Sequence, residues 1–279
     1  MDALGDDSWP LAIFAGDSAL PCCMRPAMKK WALFSCIEEL HGEAGFGRVL
    51  DAGTGPRSLG WLATLDTDSI TAVTGAALMA RQVERHAPGW NRTQDRLIVG
   101  NWSDPELLAG EQFDTVLADY LLGSIEGFAP YLQESLFERL RPMTARRFYL
   151  TGAEPYVARR PASEAGILVW SIGRYRDACL LLLGKQPNRE YPLDWVLARL
   201  RRSGFDPIAT RKFPAAFSAE FVNREIDTCR GGLERMADRA LGEALIAHGD
   251  AIRARALDHI AAHGALRHGF SYAVAAEPA

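Results

Sequence analysis

The stretch of sequence best suited to chemistry is a glycine-rich loop that follows a short apolar run. Residues 49–58 read Val-Leu-Asp-Ala-Gly-Thr-Gly-Pro-Arg-Ser, so the acid Asp51 is followed by Gly53, Thr54 and Gly55. Glycines at this spacing permit a sharp turn and let a ligand approach the backbone closely. Amide groups at the start of a following helix suit polar or anionic ligand atoms. The loop predicts a ligand site, and a tight turn that binds nothing is the alternative.

Three other segments place polar side chains directly after predicted strands, namely residues 100–104, 118–123 and 151–156. In an open parallel sheet, ligands bind at the carboxyl ends of the strands, so these segments should share one rim with the glycine loop. The alternative for Asp104 is that it caps a helix start, and for Glu154 that it lies in an ordinary loop. The candidate residues on this rim are Asn101, Trp102, Asp104, Asp119, Tyr120, Glu154 and Tyr156.

The elements that must position these residues alternate between strand and helix. Apolar, β-branched runs predict strands over residues 48–52, 69–74, 95–100, 113–118 and 147–151, and helical spacing predicts helices over 58–65, 76–86, 105–108 and 130–140. Such alternation indicates a parallel sheet with right-handed crossovers. The chain is therefore predicted to have a doubly wound α/β fold, with a mainly parallel sheet and helices on both faces.

The two ends of the chain depart from this alternation. Residues 1–45 are predicted to form an N-terminal helical lead-in or cap, with a helix over 26–40, and residues 46–279 the main domain. Helices are predicted over 163–184 and 193–203, and strands six and seven over 207–213 and 269–275. The Ala- and Arg-rich residues 219–262 read as a helical insertion before the last strand. The whole sheet should therefore have seven strands.

Composition excludes several classes of protein. The 279 residues carry 31 Lys and Arg against 35 Asp and Glu, a net charge of −4, which argues against a protein that coats nucleic acid. No apolar run approaches the roughly 20 residues of a membrane-spanning helix, and the acidic N-terminus is unlike a signal peptide. Five scattered cysteines suit a reducing compartment. We expect a cytoplasmic monomer or homodimer whose partner is a small molecule, without membrane or nucleic-acid binding.

The strand, acid and Gly-x-Gly order around Asp51 resembles the first motif of class I S-adenosylmethionine-dependent methyltransferases, and the resemblance covers roughly residues 45–155 plus the closing strands. It implies S-adenosylmethionine as cofactor, with Asp51 and the glycine loop holding its amino acid part. It further implies that residues 101–104 contact the adenine and that the transferred group lies beside Asp119 and Tyr120. The cofactor-binding candidates are Asp51, Gly53, Thr54, Gly55, Thr74, Asn101, Trp102 and Asp104.

Two positions depart from the family's pattern. The third glycine of the loop is replaced by Arg57, preceded by Pro56. At the end of the second strand the family has an acid that binds both ribose hydroxyls, but Thr74 stands there and no acid occurs in residues 69–83. A hydroxyl makes one hydrogen bond where a carboxylate accepts two charge-assisted ones. These departures predict weaker cofactor binding, or a ribose held from elsewhere.

The resemblance implies a methyltransferase that acts on a nitrogen or oxygen of a small molecule. Its catalytic candidates are Asp119, Tyr120, Glu154 and Tyr156, and in-line transfer depends mainly on their placement. Two alternatives stay open: a different use of the same sulfonium, such as cyclisation or aminopropyl or carboxypropyl transfer, and a methyltransferase-like interaction protein without catalysis. The helices over 24–41 and 219–262 should shape the acceptor pocket, which we expect to be lined by Trp31, Phe34 and Phe221.

Three further patterns carry less weight. Residues 16–20, Gly-Asp-Ser-Ala-Leu, resemble the Gly-Asp-Ser-Leu esterases, but Ala19 interrupts the motif and the family's late Asp-x-x-His is missing. His259 and His263 have the i, i+4 spacing of metal ligands, yet no Glu lies between them, so we predict solvated histidines and no metal site. Arg176 and Asp177 are predicted to form a solvated or intra-helix ion pair.

Overall fold

The computed structural model describes residues 32–86, 90 and 92–279. One seven-stranded sheet organises them, with the spatial order β3-β2-β1-β4-β5-β7-β6. Its strands are β1 (Arg48–Asp51), β2 (Ser69–Thr74), β3 (Arg96–Val99), β4 (Phe113–Asp119), β5 (Thr144–Ala153), β6 (Phe205–Phe217) and β7 (Leu266–Pro278). The first five strands are parallel, and β7 lies antiparallel between β5 and β6.

Helices connect the strands and cover both faces of the sheet. They are α1 (Ala32–His41), α2 (Pro56–Leu62), α3 (Ala77–His86), α4 (Leu121–Ser124), α5 (Gln133–Leu140), α6 (Glu164–Leu182), α7 (Leu193–Arg202), α8 (Ala219–Asp227), α9 (Arg230–Leu233) and α10 (Arg239–His263), with a 3-10 turn at Ile125–Gly127. The predicted doubly wound fold and the helical insertion before the last strand, here α8 to α10, are confirmed.

Two apolar cores, one on each face, explain why the strands are nearly continuous apolar runs. Alternate residues of β1 point to opposite sides, so Leu50 joins the core with α5 and α7, whereas Val49 joins the core with α1, α2 and α3. A third core beneath the insertion is built from α6, α8 and α10 and includes Ile172, Val222 and Ile252. The insertion is therefore packed onto the body through its own apolar interior.

The structure corrects the predicted elements in three places. The predicted helix over 105–108 is a series of turns that ends with Leu108 at φ +56°, because the Asp104 carboxylate accepts from the Glu106 amide and directs the chain into a local turn. Helix α4 and the 3-10 turn after β4 were not predicted. Strands β5, β6 and β7 are longer than predicted, and β6 and β7 pair with each other along nearly their whole length.

The prediction for the N-terminal lead-in lies mostly outside the described residues. Helix α1 contains the described part of the predicted 26–40 helix, and Trp31 and the esterase-like residues 16–20 lie outside the description. Within the described part of the chain, no helix is long and apolar enough to cross a membrane.

Candidate functional site

The glycine loop is held to its neighbouring strands by its own backbone. The Ala52 amide donates to Leu117 O on β4 at 2.9 Å, and the Thr54 amide donates to Val73 O on β2 at 2.8 Å. Gly53 is required because a Cβ there would lie 2.9 Å from Leu121 Cδ1. The chain then enters α2 through Pro56, whose missing amide suits the first helical position. The loop is thus a fixed turn across the carboxyl ends of three strands.

Asp51 is fully buried behind this loop and organises it. Its Oδ2 accepts from Ser58 Oγ at 2.7 Å, and Ser58 Oγ in turn accepts from the Gly55 amide at 3.1 Å. Burial raises the pKa of the Asp51 carboxyl to about 7, and the hydrogen bond from Ser58 acts against the rise. Neither Asp51 Oδ1 nor Thr54 Oγ1 meets a partner at hydrogen-bonding geometry among the described residues. Buried oxygens without partners are uncommon and point to a ligand or water.

A pocket of about 420 Å³, counting the space open to solvent, lies over the ends of β1, β2 and β3. Its lining residues are Ala52, Gly53, Thr54, Val73, Thr74, Gly75, Gly100, Asn101, Trp102, Leu121, Ser124, Ile125 and Phe128. The lining includes the predicted residues Gly53, Thr54, Thr74, Asn101 and Trp102. Three other predicted residues, Asp51, Gly55 and Asp104, are not among the described residues that line the pocket.

The residues predicted to contact an adenine are engaged with the protein itself. Trp102 is buried, and its indole Nε1 donates to Ala52 O at 2.7 Å, which fastens the segment after β3 to the glycine loop. Asn101 Nδ2 donates to Phe128 O at 2.8 Å, while its Oδ1 accepts from the amide and hydroxyl of Ser103. Asp104 is exposed and accepts from the Glu106 amide. These residues shape the pocket wall.

The end of β2 presents a small hydroxyl and a glycine to the pocket. Thr74 is 4% exposed, and its Oγ1 accepts from the Ala76 amide at 3.3 Å. A Cβ on the next residue, Gly75, would lie only 2.6 Å from the ring of Phe128. The glycine therefore leaves room for an aromatic ring that covers the end of the strand.

The end of β4 carries the predicted catalytic pair. Asp119 Oδ1 accepts from Thr151 Oγ1 at 2.5 Å, and burial raises the pKa of this carboxyl to about 6, opposed by Thr151 and by the charge of Arg57. Tyr120 adopts the left-handed conformation at φ 49°, and its hydroxyl lies 3.0 Å from Ser271 Oγ. A left-handed tyrosine costs about 1–2 kcal/mol, and such strain collects at functional sites.

The other two predicted catalytic residues lie farther along the same side. Glu154 Oε2 accepts from the Leu193 amide at 3.1 Å, so it caps the start of α7. Tyr156 lies in the core beneath the insertion, where its hydroxyl accepts from Arg176 Nη1 at 3.0 Å, and burial raises the pKa of this phenol to about 12. Each therefore has a structural partner. None of the four predicted catalytic residues is among the described residues that line the pocket.

Arg176 forms the predicted intra-helix ion pair with Asp177, but it is not solvated and it has a second acidic partner. It is buried, and it bonds Glu225 on α8 at 2.7 Å as well as its neighbour Asp177 at 2.7 Å. The ion pair with Glu225 crosses between helices, so it ties α6 to the insertion. Periodicity on α6 could not show this contact, because Glu225 is 49 residues away in sequence.

Sequence reasoning missed Glu190, which lies in the loop before α7. Its carboxylate is packed so closely against Gly123 that a Cβ there would lie 2.8 Å from Oε1. Burial raises the pKa of Glu190 to about 7, against the effect of a hydrogen bond from the Ala153 backbone. Gly123 follows Asp119 by four residues, so Glu190 borders the segment after β4. No motif pointed to it, since the residues around it carry no recognisable pattern.

The aromatic residues predicted to line an acceptor pocket, and the two histidines of α10, pack against other rings. Phe34 is buried and stacks on Trp61 with 4.4 Å between ring centroids, and Phe221 packs against Phe217 beneath the insertion. His259 and His263 stack on each other at 4.4 Å. In the described part of the chain, no group of three or more His, Cys, Asp or Glu side chains is arranged to hold a metal ion.

Comparisons with known proteins give structural matches only. No protein-family model matches the sequence, and no curated protein sequence matches it. A cyclopropane-fatty-acyl-phospholipid synthase-like protein from Lactobacillus casei aligns with a TM-score of 0.58 at 13% identity, over 88% of each chain. A candidate methyltransferase from Bacillus halodurans aligns with a TM-score of 0.57 at 13% identity, over 88% of this chain and 99% of that one.

A third solved structure, the YcgJ protein from Bacillus subtilis, aligns with a TM-score of 0.51 at 13% identity, over 88% of this chain and 97% of that one. The strand order, with one antiparallel strand inserted next to the edge, agrees with these matches. The chain has the class I methyltransferase fold. At this level of identity the likeness establishes the fold and does not establish the reaction.

Proposed function

We propose that the protein is an S-adenosylmethionine-dependent transferase, and that it moves a methyl group to a nitrogen or oxygen of a small molecule. The observation that carries this proposal is the position of the pocket. It lies where the glycine loop crosses the carboxyl ends of the central strands in a class I methyltransferase fold. Ligands of open α/β sheets bind at this place.

The residues present fit such a cofactor. Asp51 Oδ1 and Thr54 Oγ1 are buried oxygens without partners beside the loop, and they suit the ammonium and carboxylate of an amino acid. The apolar walls formed by Trp102 and Ile125 suit a flat base. Bound S-adenosylmethionine would supply an electrophilic carbon on a sulfonium, which an acceptor lone pair displaces.

The residues at the end of β4 would serve the acceptor. Asp119, held by Thr151, can accept a hydrogen bond from an acceptor N–H or O–H, and with its pKa raised to about 6 it can take up a proton near neutral pH. Tyr120 is fixed by the contact of its hydroxyl with Ser271 and forms a wall beside Asp119. In-line transfer demands mainly such placement.

Calorimetric titration with S-adenosylmethionine and S-adenosylhomocysteine tests the proposal. We expect micromolar binding of both ligands, weakened about 10-fold or more in Asp51→Ala and about 3-fold in Thr54→Val. Glu43→Gln, an exposed acid outside the site, serves as the matched control and should bind like the wild type. Mass spectrometry of products from an acceptor screen then separates methyl transfer from other sulfonium chemistry.

One observation favours the non-catalytic alternative. The polar groups of Asn101 and Trp102 are all used inside the protein, and Thr74 replaces an acid. If the wild type binds neither ligand at millimolar concentration, the transferase proposal is wrong and a methyltransferase-like interaction protein is the better interpretation.

A further inference from the structure

We propose that the pocket binds the ribose of its nucleoside ligand by packing against Phe128, with at most one hydrogen bond from Thr74, and therefore discriminates little against deoxyribose. The inference rests on the proposed function, because it assigns the ribose position within the same site. It concerns the part of the ligand that a carboxylate usually binds in dinucleotide folds, at the end of the second strand about 20 residues after the glycine loop.

The charge of the lining is the first observation. Among the described residues, the pocket wall contains no Asp, Glu, Lys, Arg or His. Asp51 is the nearest acid to the loop, and it is fully buried behind the loop with one oxygen bonded to Ser58. A pair of ribose hydroxyls in this pocket therefore meets no carboxylate from its wall.

The hydrogen-bonding capacity of the wall is the second observation. Five lining side chains carry polar atoms, and four of them already bond within the protein: Thr74, Asn101, Trp102 and Ser124. Both atoms of the Asn101 amide are used, and so is the single donor of Trp102. Thr74 Oγ1 accepts from Ala76 and retains its own proton, so it can donate one bond to a ribose oxygen.

The packing at the end of β2 is the third observation. The ring of Phe128 lies so close to Gly75 that a Cβ there would be 2.6–3.0 Å from three of its carbons. The Asn101 side chain holds the Phe128 carbonyl at 2.8 Å, which fixes the segment after β4 over the strand. An aromatic ring thus lies against Gly75, next to the Thr74 position where a hydroxyl-binding acid would stand, and contact with its face does not depend on sugar hydroxyls.

The test compares S-adenosylhomocysteine with its 2′-deoxy and 3′-deoxy analogues by calorimetry on the wild-type protein. Loss of one neutral hydrogen bond lowers affinity by about 2- to 10-fold, whereas loss of a bond to a buried carboxylate lowers it by about 10- to 150-fold. We expect each deoxy analogue to bind within about 10-fold of the parent. A loss of more than about 30-fold for either analogue overturns the ribose assignment and leaves the transferase proposal intact.

Two variants test the role of Phe128 by the same measurement. Phe128→Ala should weaken the parent and both analogues by the same factor, about 10-fold or more, because packing is lost and hydroxyl recognition is not. Tyr131→Ala, a largely exposed aromatic in the same segment, is the matched control and should change affinity by less than 2-fold. If Phe128→Ala, with an unchanged melting profile, binds like the wild type, the ring does not hold the nucleoside and the inference is wrong.

The outcome for the parent ligand separates the two proposals. A wild-type protein that binds neither S-adenosylhomocysteine nor S-adenosylmethionine overturns the proposed function and this inference together. A protein that binds the parent but strongly prefers the hydroxylated sugar overturns only the inference. Thr74→Asp sharpens the result, because a carboxylate at this position should restore discrimination against the 2′-deoxy analogue if the ribose lies at the end of β2.

Discussion

The two halves of the sheet's carboxyl edge differ in how they present chemistry. Over β1 to β3 the pocket wall is neutral, built from backbone, glycine and apolar side chains. Over β4, β5 and β7 the edge carries the carboxyls of Asp119, Glu154 and Glu190 and, beneath the insertion, the buried ion pair of Arg176 with Glu225. The pKa values of Asp119 and Glu190 are raised by burial.

This difference indicates a division of labour. A neutral wall binds through shape and backbone, so it needs no charged group to be stripped of water. In the other half, each carboxyl contacts a hydroxyl, a backbone amide or an arginine, and these contacts offset the cost of removing it from water. We infer that the first half serves binding of a common ligand and the second half serves the particular reaction. Four substitutions test this contrast.

Arg176→Met should have the largest effect, on stability. Removing the guanidinium leaves the buried Glu225 with only its 3.3 Å contact to Arg224, which should lower the unfolding free energy by about 3–5 kcal/mol in urea denaturation. Arg174→Met, an exposed arginine on the same helix, is the control and should change it by less than about 1 kcal/mol. The double variant Arg176→Met with Glu225→Met should recover part of the loss. A loss below about 1 kcal/mol in Arg176→Met would contradict the assignment.

Asp119→Asn should impair the reaction while leaving the ligand site intact. Loss of a positioned proton acceptor lowers kcat by about 100-fold, and the dissociation constant of S-adenosylhomocysteine should stay within about 3-fold of the wild type. Asp114→Asn, on the same strand at its opposite end, is the control and should leave kcat unchanged. Turnover within about 3-fold of the wild type in Asp119→Asn would show that chemistry does not lie at the end of β4.

Asp51→Asn should change the pH dependence of stability. Because burial raises the pKa of Asp51 to about 7, the folded protein holds this proton more tightly than the unfolded chain. Wild-type stability should therefore fall as pH rises between about 4 and 7, and the contribution of this one group between pH 5 and 7 is about 1–2 kcal/mol.

Denaturation of the wild type and Asp51→Asn at pH 5, 6 and 7 measures that contribution. The variant should lose less stability over this range, and Asp68→Asn, an exposed acid, should follow the wild type. Identical pH profiles for the wild type and Asp51→Asn would mean that Asp51 is ionised throughout and that the loop is organised by a charged carboxylate.

Asp104→Asn should have the smallest effect. The exposed side chain caps a turn outside the pocket lining, and an asparagine can accept the same bond from Glu106. We expect the affinity for S-adenosylhomocysteine to change by less than 2-fold in calorimetry. A 10-fold loss would restore Asp104 to the adenine-binding role that its position in the sequence suggested, and would weaken the contrast between a neutral and a charged half.

The fold was largely predictable because its signals are local. Strand β2 was predicted with its observed bounds, and β1, β3 and β4 within one residue at each end, since buried parallel strands are short apolar runs closed by turn residues. The helix predicted over 105–108 failed for a local reason, the turn set by Asp104. The lengths of β6 and β7 could not be predicted, because each is extended by pairing with the other across the chain that separates Phe217 from Leu266.

The candidate site was predictable only where the backbone defines it. The glycine loop after β1 was identified from Gly53 and Gly55, and a Cβ on Gly53 would lie 2.9 Å from Leu121 Cδ1. The roles of the side chains could not be predicted in the same way. Tyr156 contacts Arg176 in a core, Glu154 caps α7, and Glu190 packs against Gly123. Each of these contacts joins residues far apart in the chain, so no spacing in the sequence encodes it.

The alternation of strands and helices, the glycine loop and the absence of an acid in residues 69–83 follow from residue types at neighbouring positions, so they can be read from the chain alone. Which side chain packs next to Thr74 at the end of β2 depends on the folded molecule. Phe128 reaches the end of β2 from a segment more than 50 residues later, and Asn101 holds it there. Long-range packing, which local propensity does not specify, set the chemistry of the pocket wall.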